Sequence, residues 1–290
     1  MIELKQVSKH YGKFTAVDAL DFHVDDGEIV GIIGHNGAGK STTLKMIAGL
    51  VAPTSGEVRV MGHDMSKDST AAKRVIGYLP EESPLYENMT AREYLLFFSE
   101  VYGLPRKQAQ ARIDELLGEL NLPQQDQLTG EFSKGMKRKV AIARALLHDP
   151  KLLILDEPNS GLDPLTSFFI INYFKTLRQQ GHTILLSAHN LFHVEHICDR
   201  VAIIKNGRMV ICDSMETIRR SLGSREYQIV FRADEPLEYT HRDGNYVFRT
   251  TDVPQMAHML DQISAHNWAL VDLSVEESAL EEIYVKLMTA

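Results

Sequence analysis

Short apolar segments carrying β-branched residues recur along the chain and alternate with longer stretches whose apolar positions have helical spacing. That alternation predicts an α/β core built on a parallel sheet. The expected core strands are Ile29–Ile33, Val75–Leu79, Leu152–Leu155, Thr183–Ser187 and Val201–Ile204. Glu3–Val7 and Ala19–Val24 are shorter, alternate more strictly and flank the turn-like Tyr11-Gly12-Lys13. They suit an antiparallel sheet beside the core. Between Thr90 and His148 strand signals vanish, and three helices are expected at about Ala91–Val101, Arg106–Leu120 and Gly135–His148, punctuated by Pro105 and Pro123.

Beyond Asn206-Gly207 a hairpin strand, Arg208–Ile211, leads to a helix near Met215–Ser221, and composition shifts at Ser221-Leu222-Gly223-Ser224. The expected division is a large domain, 1–221, with a helical insertion at about 90–148, and a small α+β domain, 222–290. In the latter, Tyr227–Arg232, Tyr246–Arg249 and Ala269–Leu273 read as strands, and Pro254–His266 and Ser278–Met288 as helices. Its length of about 70 residues is near the lower limit for a free-standing core.

Composition changes this picture in three ways. With 44% hydrophobic and 24% charged residues the chain is neither disordered nor fibrous. Its formal charge of −8 argues against a partner held mainly by nucleic-acid phosphates or an anionic lipid surface. That charge is unevenly placed: residues 222–290 hold 5 Lys and Arg against 12 Asp and Glu, net −7, leaving the larger domain at −1. A nearly neutral domain can still bind an anion through local groups. Apolar runs such as Ile29–Ile33 are far shorter than the ~18–20 residues that span a bilayer. The opening MIELKQVSKH lacks the pattern of a secretion leader, and Cys198 and Cys212 form no CxxC, so a reducing cytosol is expected.

The strongest chemical signal is Gly34-His35-Asn36-Gly37-Ala38-Gly39-Lys40-Ser41, a full G-x-x-x-x-G-K-[ST] placed after one expected strand and before a helical run from Thr42. Glycines let the backbone curl so that successive N–H groups face phosphate oxygens, and the helix end adds positive potential. Lys40 is expected to reach the β- and γ-phosphates and Ser41 to ligate Mg²⁺. A second signal is the apolar run Leu152–Leu155 ending in Asp156-Glu157, because a parallel sheet delivers ligands at its carboxyl edge. Asp156 would hold Mg²⁺ directly or through water. Glu157, one residue on, is placed to polarise an attacking water. His193, His196 and Cys198 have a spacing that permits a metal site, but no second pair of ligands accompanies them, so a structural role is expected.

Leu128-Thr129-Gly130-Glu131-Phe132-Ser133-Lys134-Gly135-Met136-Lys137-Arg138 resembles the signature motif of ATP-binding cassette (ABC) transporter ATPases. Ser160-Gly161-Leu162-Asp163 is similar to their D-loop, and His189, in Leu186-Ser187-Ala188-His189, to their switch histidine. The spellings Gly77–Glu81, Phe132–Lys137 and Leu280–Tyr284 resemble the exporter-type (ABC-2) branch. The resemblance, which covers about residues 1–215, implies a P-loop NTPase of the ABC cassette type, with a parallel-sheet core, an antiparallel β subdomain and a helical subdomain. It implies that Tyr11 stacks on adenine, that His189 bonds the γ-phosphate, and that Asp163 belongs to the nucleotide sandwich. Ser133 and Gly135 would close on the nucleotide of a second cassette, giving a head-to-tail dimer, expected to be a homodimer. Two positions depart from the family pattern: Glu81 stands where a glutamine usually contacts Mg²⁺ and water, and Lys134 interrupts Ser-Gly-Gly. Ser83–Thr90 resembles the segment that meets a membrane subunit. The implied function is ATP binding and hydrolysis that powers export through separate polytopic membrane permease subunits, from the cytoplasmic face of the cell membrane. The competing reading is a soluble cassette protein of repair, translation or regulation. Only 91 residues separate Ser41 from Ser133, without sustained heptads, and the motif set occurs once, which disfavours that alternative.

Overall fold

The computed structural model describes residues 1–122, 127–233, 236–242 and 244–289, the Arg242 side chain excepted. The expected break at Pro123 lies outside the described residues. The chain forms two compact units, Met1–Met215 and Glu216–Ala290.

In the first unit β1 (Ile2–Tyr11), β2 (Phe14–Val24) and β3 (Ile29–Ile33) precede α1 (Lys40–Ile47), β4 (Ser55–Val60), β5 (His63–Asp64), α2 (Ser69–Lys73) and β6 (Ile76–Leu79). Helices α3 (Ala91–Val101), α4 (Arg106–Glu119) and α5 (Lys134–Leu146) follow. Then come β7 (Leu152–Asp156), α6 (Pro164–Gln179), β8 (Thr183–Ser187), α7 (Leu191–Ile197), β9 (Arg200–Lys205) and β10 (Arg208–Ser214). Six strands form one sheet in the order β10-β9-β3-β8-β7-β6. Its members β9, β3, β8, β7 and β6 run parallel, and β10 pairs antiparallel at the edge. Every residue of β3, β7 and β8 is buried, which is why these strands read as unbroken apolar runs.

A four-stranded sheet, β2-β1-β4-β5, packs on one face of this core. Leu4, Val17, Leu20 and Val58 from it meet Val30, Ile32, Ile154 and Leu185 of the large sheet in one cluster. The β1–β2 hairpin is longer than its pattern suggested, because register shifts between Leu4 and His10 interrupt the alternation. The segment carrying β4, β5 and α2 has no counterpart in the expected elements. Gly56 weakens its strand pattern, and the strand begins on exposed polar residues. Among the three helices of the insertion, α3 begins with a full capping box between Thr90 and Glu93. Ser133 caps α5 by accepting from the Met136 N–H at 3.2 Å, so that helix starts at Lys134.

The second unit holds α8 (Met215–Leu222) from its second residue, β11 (Arg225–Arg232), β12 (Thr240–Arg242), β13 (Asn245–Thr250), α9 (Val253–Ala265), β14 (Ala269–Glu277) and α10 (Leu280–Thr289). Its antiparallel sheet has the order β12-β13-β11-β14. Ile229, Phe231 and Tyr246 on the sheet pack against Met259 and Ile263 of α9. No helix among the described residues is long and apolar enough to cross a membrane.

Candidate functional site

The site lies where β3, β7 and β8 end. Gly39, with φ of 109°, occupies the left-handed region just before α1, and a Cβ there would stand 2.5 Å from the Ala16 carbonyl oxygen. Only glycine fits so tight a turn. The loop is fastened from both sides: the Ala38 N–H donates to the His35 carbonyl at 3.0 Å, and the Gly207 N–H to the Ala38 carbonyl at 2.9 Å. His35 Nδ1 contacts the Asn36 carbonyl at 2.7 Å. The result is a cavity of about 580 Å³, lined by His35, Asn36, Gly37, Ala38, Gly39, Lys40, Ser41 and Thr42 with Glu81, Glu157, His189, Phe14 and Ala16. That volume falls in the range of small-molecule sites.

Lys40 is buried, and its ammonium donates to the Gly34 carbonyl at 2.7 Å and, more weakly, to that of His35 at 3.4 Å. It therefore sits folded against its own loop. The Ser41 hydroxyl donates to Asp156 Oδ1 at 3.1 Å, and Ser187 donates to the same oxygen at 2.6 Å. Ser187 Oγ also accepts from the Glu157 N–H at 3.0 Å. Ser187 was not singled out in the sequence. A serine closing the apolar run Thr-Ile-Leu-Leu-Ser was the available signal, since a polar side chain at a buried strand end needs a partner. Nearby Tyr78, half-buried on β6, has its phenol pushed up to about 12 by burial and by the Asp156 charge, so it stays neutral.

Glu157 has φ of 47°, a left-handed conformation costing a non-glycine residue on the order of 1–3 kcal/mol. The bond from its N–H to Ser187, and that from Arg138 Nη2 to its carbonyl at 2.7 Å, hold it there. Its Oε2 meets His189 Nδ1 at 2.6 Å and accepts from the His189 N–H at 3.3 Å. The carboxylate is buried while the imidazole is largely exposed, so the histidine covers the acid from the solvent side. With Nδ1 engaged, Nε2 remains available to the cleft.

Other anticipated residues stand apart from this cluster. Tyr11 is exposed at the end of β1 beneath the Lys9 ammonium, which is 5.0 Å from its ring centre, and it does not line the cavity. Its cross-strand partner Phe14 does. Asp163 caps α6, accepting from the Thr166 N–H at 2.9 Å, and these bonds hold its carboxyl below the usual range. Neither Asp163, Ser133 nor Gly135 lines this cavity. A Cβ on Gly135 would lie 3.0 Å from Thr166 Cγ2, so the start of α5 rests on the start of α6. His193 shares a smaller cavity of about 210 Å³ with Glu157, Asn159 and Asn190, while His196 contacts the Phe192 carbonyl at 2.7 Å. The described residues contain no group of three or more His, Cys, Asp or Glu fit for a metal ion.

The family model described as ABC transporter matches residues 17–160. The linearmycin resistance ATP-binding protein LnrL of Bacillus subtilis (strain 168) is 35% identical, over 99% of this chain and 98% of that protein. The bacitracin transport ATP-binding protein BcrA of Bacillus licheniformis is 33% identical, over 99% and 97%. A solved ATP-binding subunit of an ABC transporter superposes with a TM-score of 0.70 at 38% identity, covering 76% of this chain and 92% of that one. A dimeric ATP-binding cassette in a post-hydrolysis state with ADP and Pi gives 0.67 at 27% identity, covering 74% and 99%.

Proposed function

This chain belongs to the ABC transporter ATP-binding family, and from that premise we propose how its own residues divide the work of its ATPase cycle. It is an ATP-hydrolysing transport subunit. The observation carrying the proposal is the joining of Ser41, Asp156, Ser187, Glu157 and His189 in one hydrogen-bonded chain at the sheet's carboxyl edge.

Main-chain N–H groups of Gly37–Ser41 cradle the phosphates, and Lys40 leaves the Gly34 carbonyl to bond the β- and γ-phosphates. Tyr11 and Phe14, paired across the hairpin tip, flank the purine end. Ser41 and Asp156 offer oxygen donors 3.1 Å apart, the hard-ligand chemistry that suits Mg²⁺ shared with phosphates, and Glu81 adds a third oxygen at the cavity wall. When bound, the ion offsets negative charge on the phosphate chain. Glu157 orients the attacking water and accepts its proton. His189 fixes that carboxylate through Nδ1 and turns Nε2 to the γ-phosphate. Glu81, while ionised, accepts hydrogen bonds but donates none, so it positions water from the acceptor side only.

Ser133, Gly135 and Asp163 act on the nucleotide of a second copy, in a head-to-tail homodimer. Tighter ATP binding by the closed dimer then drives closure. The exposed aromatic cluster of Tyr86 and Phe97, with Leu128 exposed beside the Thr90–Leu128 bridge, is the surface for the polytopic permease at the cytoplasmic membrane face. Export is the direction, as it is for the ABC-2 group. With ATP and Mg²⁺, the Glu157→Gln chain should double in mass in solution, and the wild-type chain should co-purify with a polytopic membrane protein. A chain that stays monomeric with ATP and retains no membrane protein overturns the reading.

A further inference from the structure

Arg138 lies on α5 within Lys-Arg-Lys, a run that reads as a solvated basic face, yet its side chain is 7% exposed. Its guanidinium carries five N–H groups, and each has its own main-chain carbonyl. Nε donates to Pro158 at 2.8 Å. Nη1 donates to Pro80 and Glu81, both at 2.9 Å. Nη2 donates to Asp156 at 3.1 Å and Glu157 at 2.7 Å. These carbonyls belong to the loop after β6 and to the end of β7 with the loop that follows it, and the two strands are neighbours in the sheet. Burial lowers the Arg138 pKa to about 10, with the Asp156, Glu81 and Glu157 carboxylates opposing the shift and Arg144 adding to it. The group stays cationic at neutral pH.

We propose that Arg138 is a positioning residue for hydrolysis, locking the loop of Glu81 to the end of β7 at Asp156 and Glu157 so that the water-handling carboxylates keep one relative geometry. The proposal rests on the reading of Glu157 and Glu81 given above. Arg138 lines neither the phosphate loop nor the rest of the nucleotide cavity, so its effect falls on turnover rather than on ATP binding. No other side chain can fill the place: lysine has three donors and glutamine two, against five carbonyls. Because Arg138 follows Ser133 by a little over one turn, the lock also ties the start of α5 to the hydrolytic loops of the same chain.

The test measures kcat and KM for ATP, with melting temperature, in Arg138→Lys and Arg138→Gln. Arg144→Lys, on the same helix but bonded to Tyr94, controls for general disturbance of α5. Both Arg138 variants should fold and keep KM within about twofold, while kcat falls roughly 10- to 100-fold, as misplacement of reacting groups by about 1 Å does. Lysine should restore more of the melting temperature than glutamine without restoring kcat, whereas a merely structural role makes kcat follow stability. Unchanged kcat per folded molecule, a rise in KM matching the loss, or failure of both variants to fold overturns the proposal. Lack of turnover in the wild-type chain instead defeats the reading of the site itself.

Discussion

Lys40, Arg138, Asp156 and Glu157 are the buried charged residues of the described chain, and all four belong to the carboxyl edge of the first unit's sheet. Among the described residues of the second unit, the buried polar side chains are Thr250 and Ser278, beside an apolar cluster. Burying a charge costs several kcal/mol unless partners compensate. In the first unit every one of the four is partnered, by carbonyls, hydroxyls, main-chain N–H groups or an imidazole. The two units therefore bury for different ends. One accepts the cost of charge at and beside a cleft, which Lys40 and Glu157 line, the usual mark of chemistry. The other packs an apolar core, and most of the chain's negative charge lies in its sequence, with residues 222–290 holding a net −7.

The sharpest attempt to break this contrast is Phe231→Ala. Phe231 is fully buried among Tyr246, Tyr239 and Trp268, so its truncation should cost about 3–5 kcal/mol. Melting followed by calorimetry should show the loss in a transition assigned to the second unit, with ATP affinity unchanged. A parallel fall in ATP affinity would mean that the packing unit also maintains the site. Lys40→Ala is the counterpart in the first unit. Losing charge-assisted bonds worth about 1.5–3 kcal/mol should weaken ATP binding roughly 10- to 100-fold by titration calorimetry. Affinity within twofold of wild type would remove Lys40 from the phosphate site.

A smaller effect belongs to helix termini. Thr90→Ala removes the cap of α3 and should destabilise the first unit by about 1 kcal/mol in urea titration without altering ATP affinity. The smallest concerns pH. Burial holds the His148 imidazole below its ordinary value of 6.5, its bond to the Ile76 carbonyl opposing the shift. As pH falls through 6.5 the unfolded chain takes up this proton before the folded chain does, so stability present at higher pH is lost on acidification. Melting temperatures between pH 7.5 and 5.5 should decline less steeply in His148→Gln. An unchanged slope would place the acid sensitivity elsewhere.

How far the sequence led differs between the same two kinds of burial. The phosphate loop and the Asp156-Glu157 pair were readable because each is contiguous, with its strand beside it, and the parallel core was readable because strands buried on both faces are uninterrupted apolar runs. Arg138 was hidden for the opposite reason. Its five partners lie 18 to 20 and 57 to 58 positions away, and only the pairing of β6 with β7 brings them together. Phe14, which lines the cavity opposite Tyr11 across the hairpin tip, gave no sequence signal, since residues facing each other there cannot be told apart by pattern alone. The β4–β5–α2 segment escaped because its strands are short and partly exposed.

The most direct measurement is the identity of the nucleotide retained by Glu157→Gln after incubation with ATP and Mg²⁺, read by chromatography of the released nucleotide and set against the wild-type chain. If the buried charges of the first unit form a hydrolytic centre with Glu157 as its base, the variant releases intact ATP while the wild type releases ADP, and its turnover is lower by roughly 10²–10⁴-fold. ADP recovered from the variant at the wild-type rate would contradict the account.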